Sequence, residues 1–438
     1  MPAYGCDNLS FTISISYHGI TVPTCGYRHA LAYPVGRIDT RDGMTYDYDD
    51  RERLFSGHTG RLFLLITAIW FCVSLTSRLI PPLLPAIIDE LMITAFLAGV
   101  ALTAERIIKA LIEYPSGRFA DQYSRTTVLI GCIAFVIVGV LILAGAVTYA
   151  LFVLGVVVFG IGRGMYTPAA RALVSDMFRQ KRGRAFGINM LGSEFAGIVG
   201  AGLAIVIVGV ATWRAAFLPL ALLLLPLLVA FYVLSREPIR YGYVELGVRD
   251  TSGRVFGDPT IRLILLVYSL YVLAASGVST FLPLFLIEVH GVSFALASAA
   301  FGLLYLAGLV AKPVGGVLSD LVPRLYVAGG GLLIGVGGLA VLILAPTGAI
   351  AILGVLVYAL GYRGIPPSMH AFLMDRFPDE NMAGDLGAMR TVYLLIGSLG
   401  PAYAGFAANT IGFVPAFVNF LLFYLIGAAT LLYISITS

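Results

Sequence analysis

The chain has 438 residues, of which 59% are hydrophobic and 12% charged, about half the roughly 25% charge of a soluble domain. No water-soluble core encloses so much apolar surface, which excludes a soluble enzyme or a nucleic-acid-binding module and predicts an all-α membrane protein. The net charge of +4 comes from 28 Lys and Arg against 24 Asp and Glu, and Lys109, Lys181 and Lys312 are the only lysines, so nearly every fixed cation is a guanidinium, the better fork for oxyanions.

Residues 1–60 are polar and Tyr-rich, without helix or strand periodicity and without the compact apolar core of a signal peptide. They read as a disordered cytoplasmic tail, or as sequence lying ahead of a start at Met44. Beyond them, apolar runs of about 18 or more residues mark membrane helices. Twelve such spans follow in chain order, at about 62–86, 94–116, 126–148, 149–174, 185–209, 215–234, 262–287, 294–316, 325–345, 349–374, 384–407 and 411–435. They fall into two groups of six, within 61–234 and 262–438. A polar connection over 235–261 carries Arg236, Arg240, Arg249 and Arg254. With span 1 running outward, the inside loops hold most of the arginines and the outside loops hold Arg214 and little else, so a multi-pass protein of the cell membrane with both termini cytoplasmic is expected. Of the four cysteines, Cys72 and Cys132 lie inside apolar spans and Cys6 and Cys25 in the tail. That is neither a disulfide framework nor a metal-ligand spacing, and no metal or cofactor is expected.

The two groups repeat one another. Gly117-Arg118-Phe119-Ala120-Asp121-Gln122-Tyr123-Ser124-Arg125 after span 2 and Gly316-Val317-Leu318-Ser319-Asp320-Leu321-Val322-Pro323-Arg324 after span 8 both read G-x-x-x-D-x-x-x-R, offset by 320 − 121 = 199. Arg163-Gly164 in span 4 matches Arg363-Gly364 in span 10, and Gly197-x-x-Gly200 in span 5 matches Gly397-x-x-Gly400 in span 11, both offset by 200 (363 − 163 and 397 − 197). Parallel repeats of six helices are the architecture of one large transporter class.

These elements resemble the major facilitator superfamily from about residue 60 to the end. The two motif loops look like its signature between helices 2 and 3 and the echo between helices 8 and 9. The segment from Gly160 to Pro168, the loop Arg182-Gly-Arg-Ala-Phe-Gly187 and the step Trp213-Arg214-Ala-Ala-Phe217 resemble further landmarks. Gly397-Ser-Leu-Gly-Pro401 is similar to the Gly-Pro element of antiporters but falls in span 11. In span 5, where drug antiporters carry it, Ala201 follows Gly200. The resemblance implies twelve transmembrane helices in two pseudo-symmetric six-helix bundles that rock about a central site lined by spans 1, 4, 7 and 10. It also implies a cytoplasmic gate at Gly117, Asp121, Arg125, Gly316, Asp320 and Arg324.

A charge at the centre of a membrane helix costs roughly 2.5–3.5 kcal/mol, so each needs a partner or a cavity. Span 2 carries Glu105, Arg106, Lys109 and Glu113, which at about 100° per residue share one face. They read as i,i+4 neutralisation within the helix, or as a proton-coupling site with Glu105 or Glu113 as the carrier. Glu113 and Lys312 each stand 8 residues before their loop aspartates (121 − 113 and 320 − 312), equivalent positions of opposite charge. In the superfamily, helix 2 faces helix 11 and helix 5 faces helix 8. Arg390 and Glu194 on those helices complete two expected crossed pairs, Glu113–Arg390 and Glu194–Lys312, closing the cytoplasmic side.

Arg163, Tyr166, Thr167 and Arg171 form a polar stripe on span 4. Arg363 stands at the equivalent position of span 10 with His370 on the same side, and span 1 carries Arg78. Three arginines on cavity helices point to an anionic substrate, since a guanidinium holds carboxylate or phosphate through two hydrogen bonds. The plain structural alternative is that Arg163 and Arg363 bind backbone carbonyls or motif aspartates. The expected function is therefore a secondary transporter of a small organic or inorganic anion, monomeric, driven by protons or by exchange. Efflux of hydrophobic compounds is the second reading and an intramembrane lipid-handling enzyme the third. No G-x-x-x-x-G-K-[ST] occurs, so direct drive by ATP is not expected.

Overall fold

The computed structural model describes residues 54–122, 124–178, 181–235, 257–376 and 382–437. The expected tail up to residue 53 and residues 236–256 of the central connection lie outside the described residues.

With no water in the bilayer core, backbone polar groups must be satisfied within each segment, and an apolar span closes into a helix. The first half comprises α1 (Gly57–Leu91), α2 (Ala95–Gln122), α3 (Arg125–Ala144), α4 (Tyr149–Met177), α5 (Arg182–Val210), a 3₁₀ turn (Trp213–Ala216) and α6 (Leu218–Leu234). The second comprises α7 (Pro259–His290), α8 (Phe294–Leu321), α9 (Arg324–Leu344), α10 (Gly348–Arg376), α11 in two segments (Met382–Ser398 and Gly400–Ile411) and α12 (Phe413–Thr437). Several starts are capped by the residue types that satisfy free N–H groups. Ser124, Thr148, Asp258 and Ser293 accept bonds from the backbone N–H of Thr127, Leu151, Thr260 and Leu296. The repeat extends to the caps, since α1 and α7 end on left-handed residues, Met92 at φ 50° and Gly291 at φ 62°, 291 − 92 = 199 apart.

Span 11, expected as one helix, is broken at Leu399. Pro401 has no N–H to continue the ladder, and the chain resumes through a bond from the Tyr403 N–H to the Leu399 carbonyl, 2.9 Å. Eleven of the described helices are long and apolar enough to cross a membrane. The span of α2 falls short by that measure, because its 28 residues include Glu105, Arg106, Lys109 and Glu113.

Two bundles emerge from the packing. In the first, α1 lies against α5, α2 against α4, and α3 against α4 and α6; in the second, α9 lies against α10 and α12, α8 against α10, and α7 against α11 and α12. Across the divide α2 meets both segments of α11, α5 meets α8, and α1 meets α7. The outer helix α6 leaves Leu222, Val229 and Val233 exposed, as a lipid-facing helix does. Central α7 buries Thr280, Phe281 and Phe285 completely.

Candidate functional site

Where the bundles meet, a cavity of about 270 Å³ is lined by α1, α2, α4, α7, α8, α10 and α11. Five of its lining residues are cations: Arg78 on α1, Arg106 and Lys109 on α2, Arg163 on α4 and Arg363 on α10. Hydroxyls of Ser77, Ser276, Ser279 and Ser398 and the rings of Tyr271, Tyr305 and Tyr362 complete the polar wall, and among the described residues no carboxylate lines it.

The carboxylates stand behind these cations. Glu105 accepts from Arg163 Nη1 at 2.9 Å within the first bundle. Glu113 Oε2 lies 3.5 Å from Lys109 Nζ on its own helix, while its Oε1 accepts from Arg390 Nε of α11 at 3.1 Å. Glu194 of α5 is shared by two cations of the second bundle, accepting from Lys312 Nζ and from Arg363 Nη1 at 3.3 Å. Gly308 makes room for this last group, since a Cβ there would lie 2.7 Å from Glu194 Oε2. The structure thus brings Glu113 to Arg390 and Glu194 to Lys312 across the bundle divide.

Tyr305 on α8 is a residue that sequence patterning did not single out among 23 tyrosines. The guanidinium carbons of Arg78 and Arg363 lie 4.7 and 4.4 Å from its ring centroid, within cation–π range. The ring fills the space over Gly197 that any side chain would occupy, which gives the Gly-x-x-Gly of α5 a packing role. Arg106 Nη2 donates to Thr280 Oγ1 of α7 at 2.8 Å. The Nε atoms of Arg78, Arg163 and Arg363 are buried and have no hydrogen-bond partner among the described residues. Buried donors of that kind normally find one.

Other expected site residues lie elsewhere. Tyr166 turns into the first bundle, where it stacks on Trp70 at 4.5 Å and donates to the Ile66 carbonyl at 2.9 Å. Thr167 is half-buried and is not among the cavity-lining residues. His370 sits beside Tyr268, with Nε2 3.5 Å from the phenol oxygen, and is also outside the lining. In the motif loops, Arg125 pairs with Asp176 at the end of α4, and Arg324 pairs with Asp375 and the Ala371 carbonyl near the end of α10. The aspartates are repeat-equivalent, 375 − 176 = 199, a signal that the sequence carried and that motif reading passed over. Gly117 and Gly316 face Pro168 and Pro367, where added Cβ atoms would lie 3.2 and 4.0 Å from the proline Cβ. Asp320 is exposed, and the Asp121 side chain lies outside the described residues.

The sequence profile of the Major Facilitator Superfamily matches residues 66–401. The chain belongs to the Major Facilitator Superfamily. It is a multi-pass membrane transporter of the secondary type and not an enzyme. Among curated relatives, the protein named probable sulfoacetate transporter SauU of Cupriavidus necator is 28% identical over 295 residues, 63% of this chain and 67% of that one. The crystal structure of a bacterial homolog to the human lysosomal transporter Spinster, inward-facing and occupied, superposes with a TM-score of 0.76 at 19% identity, covering 87% of this chain and 98% of that one. The nucleoside transporter NupG gives a TM-score of 0.69 at 13% identity over 85% and 99% of the two chains. These two superpositions establish the fold of this transporter.

Proposed function

We propose that this transporter moves a small organic anion across the cell membrane by alternating access, with the motif loops and both termini in the cytoplasm. The observation that carries the reading is the cavity wall, which among the described residues presents five cations, no carboxylate and three buried guanidinium Nε atoms without partners. A buried cation is tolerated only with a counter-charge or water, and an anionic cargo supplies the first. Size supports the same reading. About 270 Å³ falls below the roughly 300–1,000 Å³ of drug-sized pockets, which argues against efflux of bulky hydrophobic compounds. The name of the Cupriavidus necator relative points the same way, since sulfoacetate is a two-carbon sulfonate with a carboxylate.

In this scheme the crossed pairs Glu113–Arg390 and Glu194–Lys312 latch the cytoplasmic side, and Arg125–Asp176 and Arg324–Asp375 brace each bundle at the same end. Glu105 holds Arg163 at 2.9 Å, so a proton on Glu105 would free that guanidinium for the cargo. That gives proton coupling a route through α2, alongside exchange of one anion for another. The arginine distribution supports the orientation, because Arg182, Arg184, Arg324 and Arg376 lie at the motif-loop end and Arg214 at the other.

A thermal-shift screen of the purified protein against small carboxylates, sulfonates and phosphates, sugars and hydrophobic drugs tests the reading. Stabilisation by anions alone, lost in Arg78→Ala, Arg163→Ala and Arg363→Ala, is expected. Stabilisation by drugs or sugars with indifference to every anion would overturn it.

A further inference from the structure

We infer that the cargo is a small two-headed dianion, whose two charges answer Arg78 and Arg106. The inference rests on the anion reading above and adds a charge state to it.

The five cavity cations are backed by three carboxylates: Glu105 on Arg163, Glu113 on Lys109 and Glu194 on Arg363. The wall therefore carries a surplus of 5 − 3 = 2 positive charges. The surplus is localised, because Arg78 and Arg106 form no ion pair with any carboxylate among the described residues. Arg78 rests on the face of the Tyr305 ring and keeps its Nε buried without a partner. Arg106 donates to the neutral hydroxyl of Thr280. A ring face and a hydroxyl orient a guanidinium, but neither cancels its charge.

Two is the minimum. Glu113 and Glu194 are also shared with Arg390 and Lys312, whose side chains are 26% and 35% exposed and so are partly screened by water. A monovalent cargo would leave at least one half-buried guanidinium without counter-charge. A divalent one balances the wall. The two free cations also rest on different helices of the second bundle, Arg78 on α8 through Tyr305 and Arg106 on α7 through Thr280. Two guanidinium groups held on separate supports favour an anion with a charged group at each end, such as a carboxylate facing a sulfonate, a phosphonate or a second carboxylate, over a compact divalent ion. At about 270 Å³ the cavity has room for a dianion with a skeleton of two or three carbons.

The reading makes Arg106 a specificity-determining residue in addition to the proton-coupling neighbour its place on α2 suggests. Isothermal titration of the full-length protein in detergent with sulfoacetate and malonate, against isethionate and acetate, tests it. Isethionate keeps the sulfonate and replaces the carboxylate by a hydroxymethyl group, so it isolates the second charge. The dianions are expected to bind about tenfold or more tighter than the monoanions. In Arg106→Gln that preference falls below about threefold, because the dianions lose more affinity than isethionate does, whereas Arg106→Lys retains it. Wild-type protein that binds isethionate or acetate as tightly as the dianions would overturn the dianion inference and leave the anion reading standing. An undiminished preference in folded Arg106→Gln would overturn the role of Arg106. Binding of none of the four would count against both readings together.

Discussion

Two seams join the bundles near the motif-loop end, and their carboxylates are partnered differently. At the α2–α11 seam Glu113 divides between Lys109 of its own helix and Arg390 of the opposite bundle. At the α5–α8 seam Glu194 takes both partners, Lys312 and Arg363, from the opposite bundle. Their burial follows suit, with side-chain exposures of 14% and 5%. When the bundles part, Glu113 keeps a cation and Glu194 keeps none, and an unpaired buried charge is far more costly than a paired one. The lesson is that similar ion pairs are unequally partnered, and under the proposed alternating-access scheme the α5–α8 seam is expected to set the barrier to opening.

The sharpest way to break this comparison is to neutralise each carboxylate in turn. Glu194→Gln strands Lys312 and Arg363 together, and removing one side of a buried pair costs roughly 3–5 kcal/mol. Uptake into proteoliposomes is expected to fall by about 100-fold. Glu113→Gln is expected to cost only about tenfold, because it strands a single cation of the opposite bundle, Arg390, where Glu194→Gln strands two. Equal losses would erase the distinction. A thermodynamic cycle sharpens it. Coupling energies from thermal unfolding of single and double alanine variants should be larger for Glu194–Lys312 than for Glu113–Arg390, by about 1 kcal/mol.

A backbone probe comes next in size. Gly308→Ala places a methyl 2.7 Å from Glu194 Oε2 and should lower Tm by about 2–4 °C while leaving the α2–α11 coupling unchanged. Gly316→Ala, whose Cβ would meet Pro367 at an ordinary 4.0 Å, should leave Tm nearly unmoved. The smallest effect is expected at the motif loops. Asp176 and Asp375 are 58% and 66% exposed in their pairs with Arg125 and Arg324, and exposed pairs contribute about 0–1 kcal/mol. Asp176→Asn and Asp375→Asn should therefore change Tm little and lose even that difference in high salt.

Much of this architecture was legible in the chain. The 199- to 200-residue offset between Asp121 and Asp320, Arg163 and Arg363, and Gly197 and Gly397 marked the duplicated bundle, because a repeat preserves register wherever a helix must pack the same way twice. Opposite charges at the equivalent positions Glu113 and Lys312, with the superfamily's helix neighbours, named the residues that meet across the seams. Less legible was which way a polar face looks. Arg106 and Glu105 are consecutive, yet one reaches Thr280 across the divide and the other holds Arg163 within its own bundle. Helix rotation and tilt, set by packing against α4 and α11, decide that, and no pattern along α2 encodes it. Tyr166 looked like part of a cavity stripe for the same reason, and its bond to the Ile66 carbonyl turned it inward. Tyr305 had no signal at all, because its role depends on two arginines from different bundles meeting over one ring.

The central claim is that the bundles part at the α5–α8 seam when its charges let go. Electron–electron distance measurement between spin labels at Gly183→Cys and Leu321→Cys, exposed positions at the motif-loop ends of α5 and α8, tests it most directly, in protein whose four native cysteines are replaced. The account predicts two distance populations in the wild type, with Lys312→Ala moving weight to the longer one. A single narrow population, identical in both proteins, would contradict it.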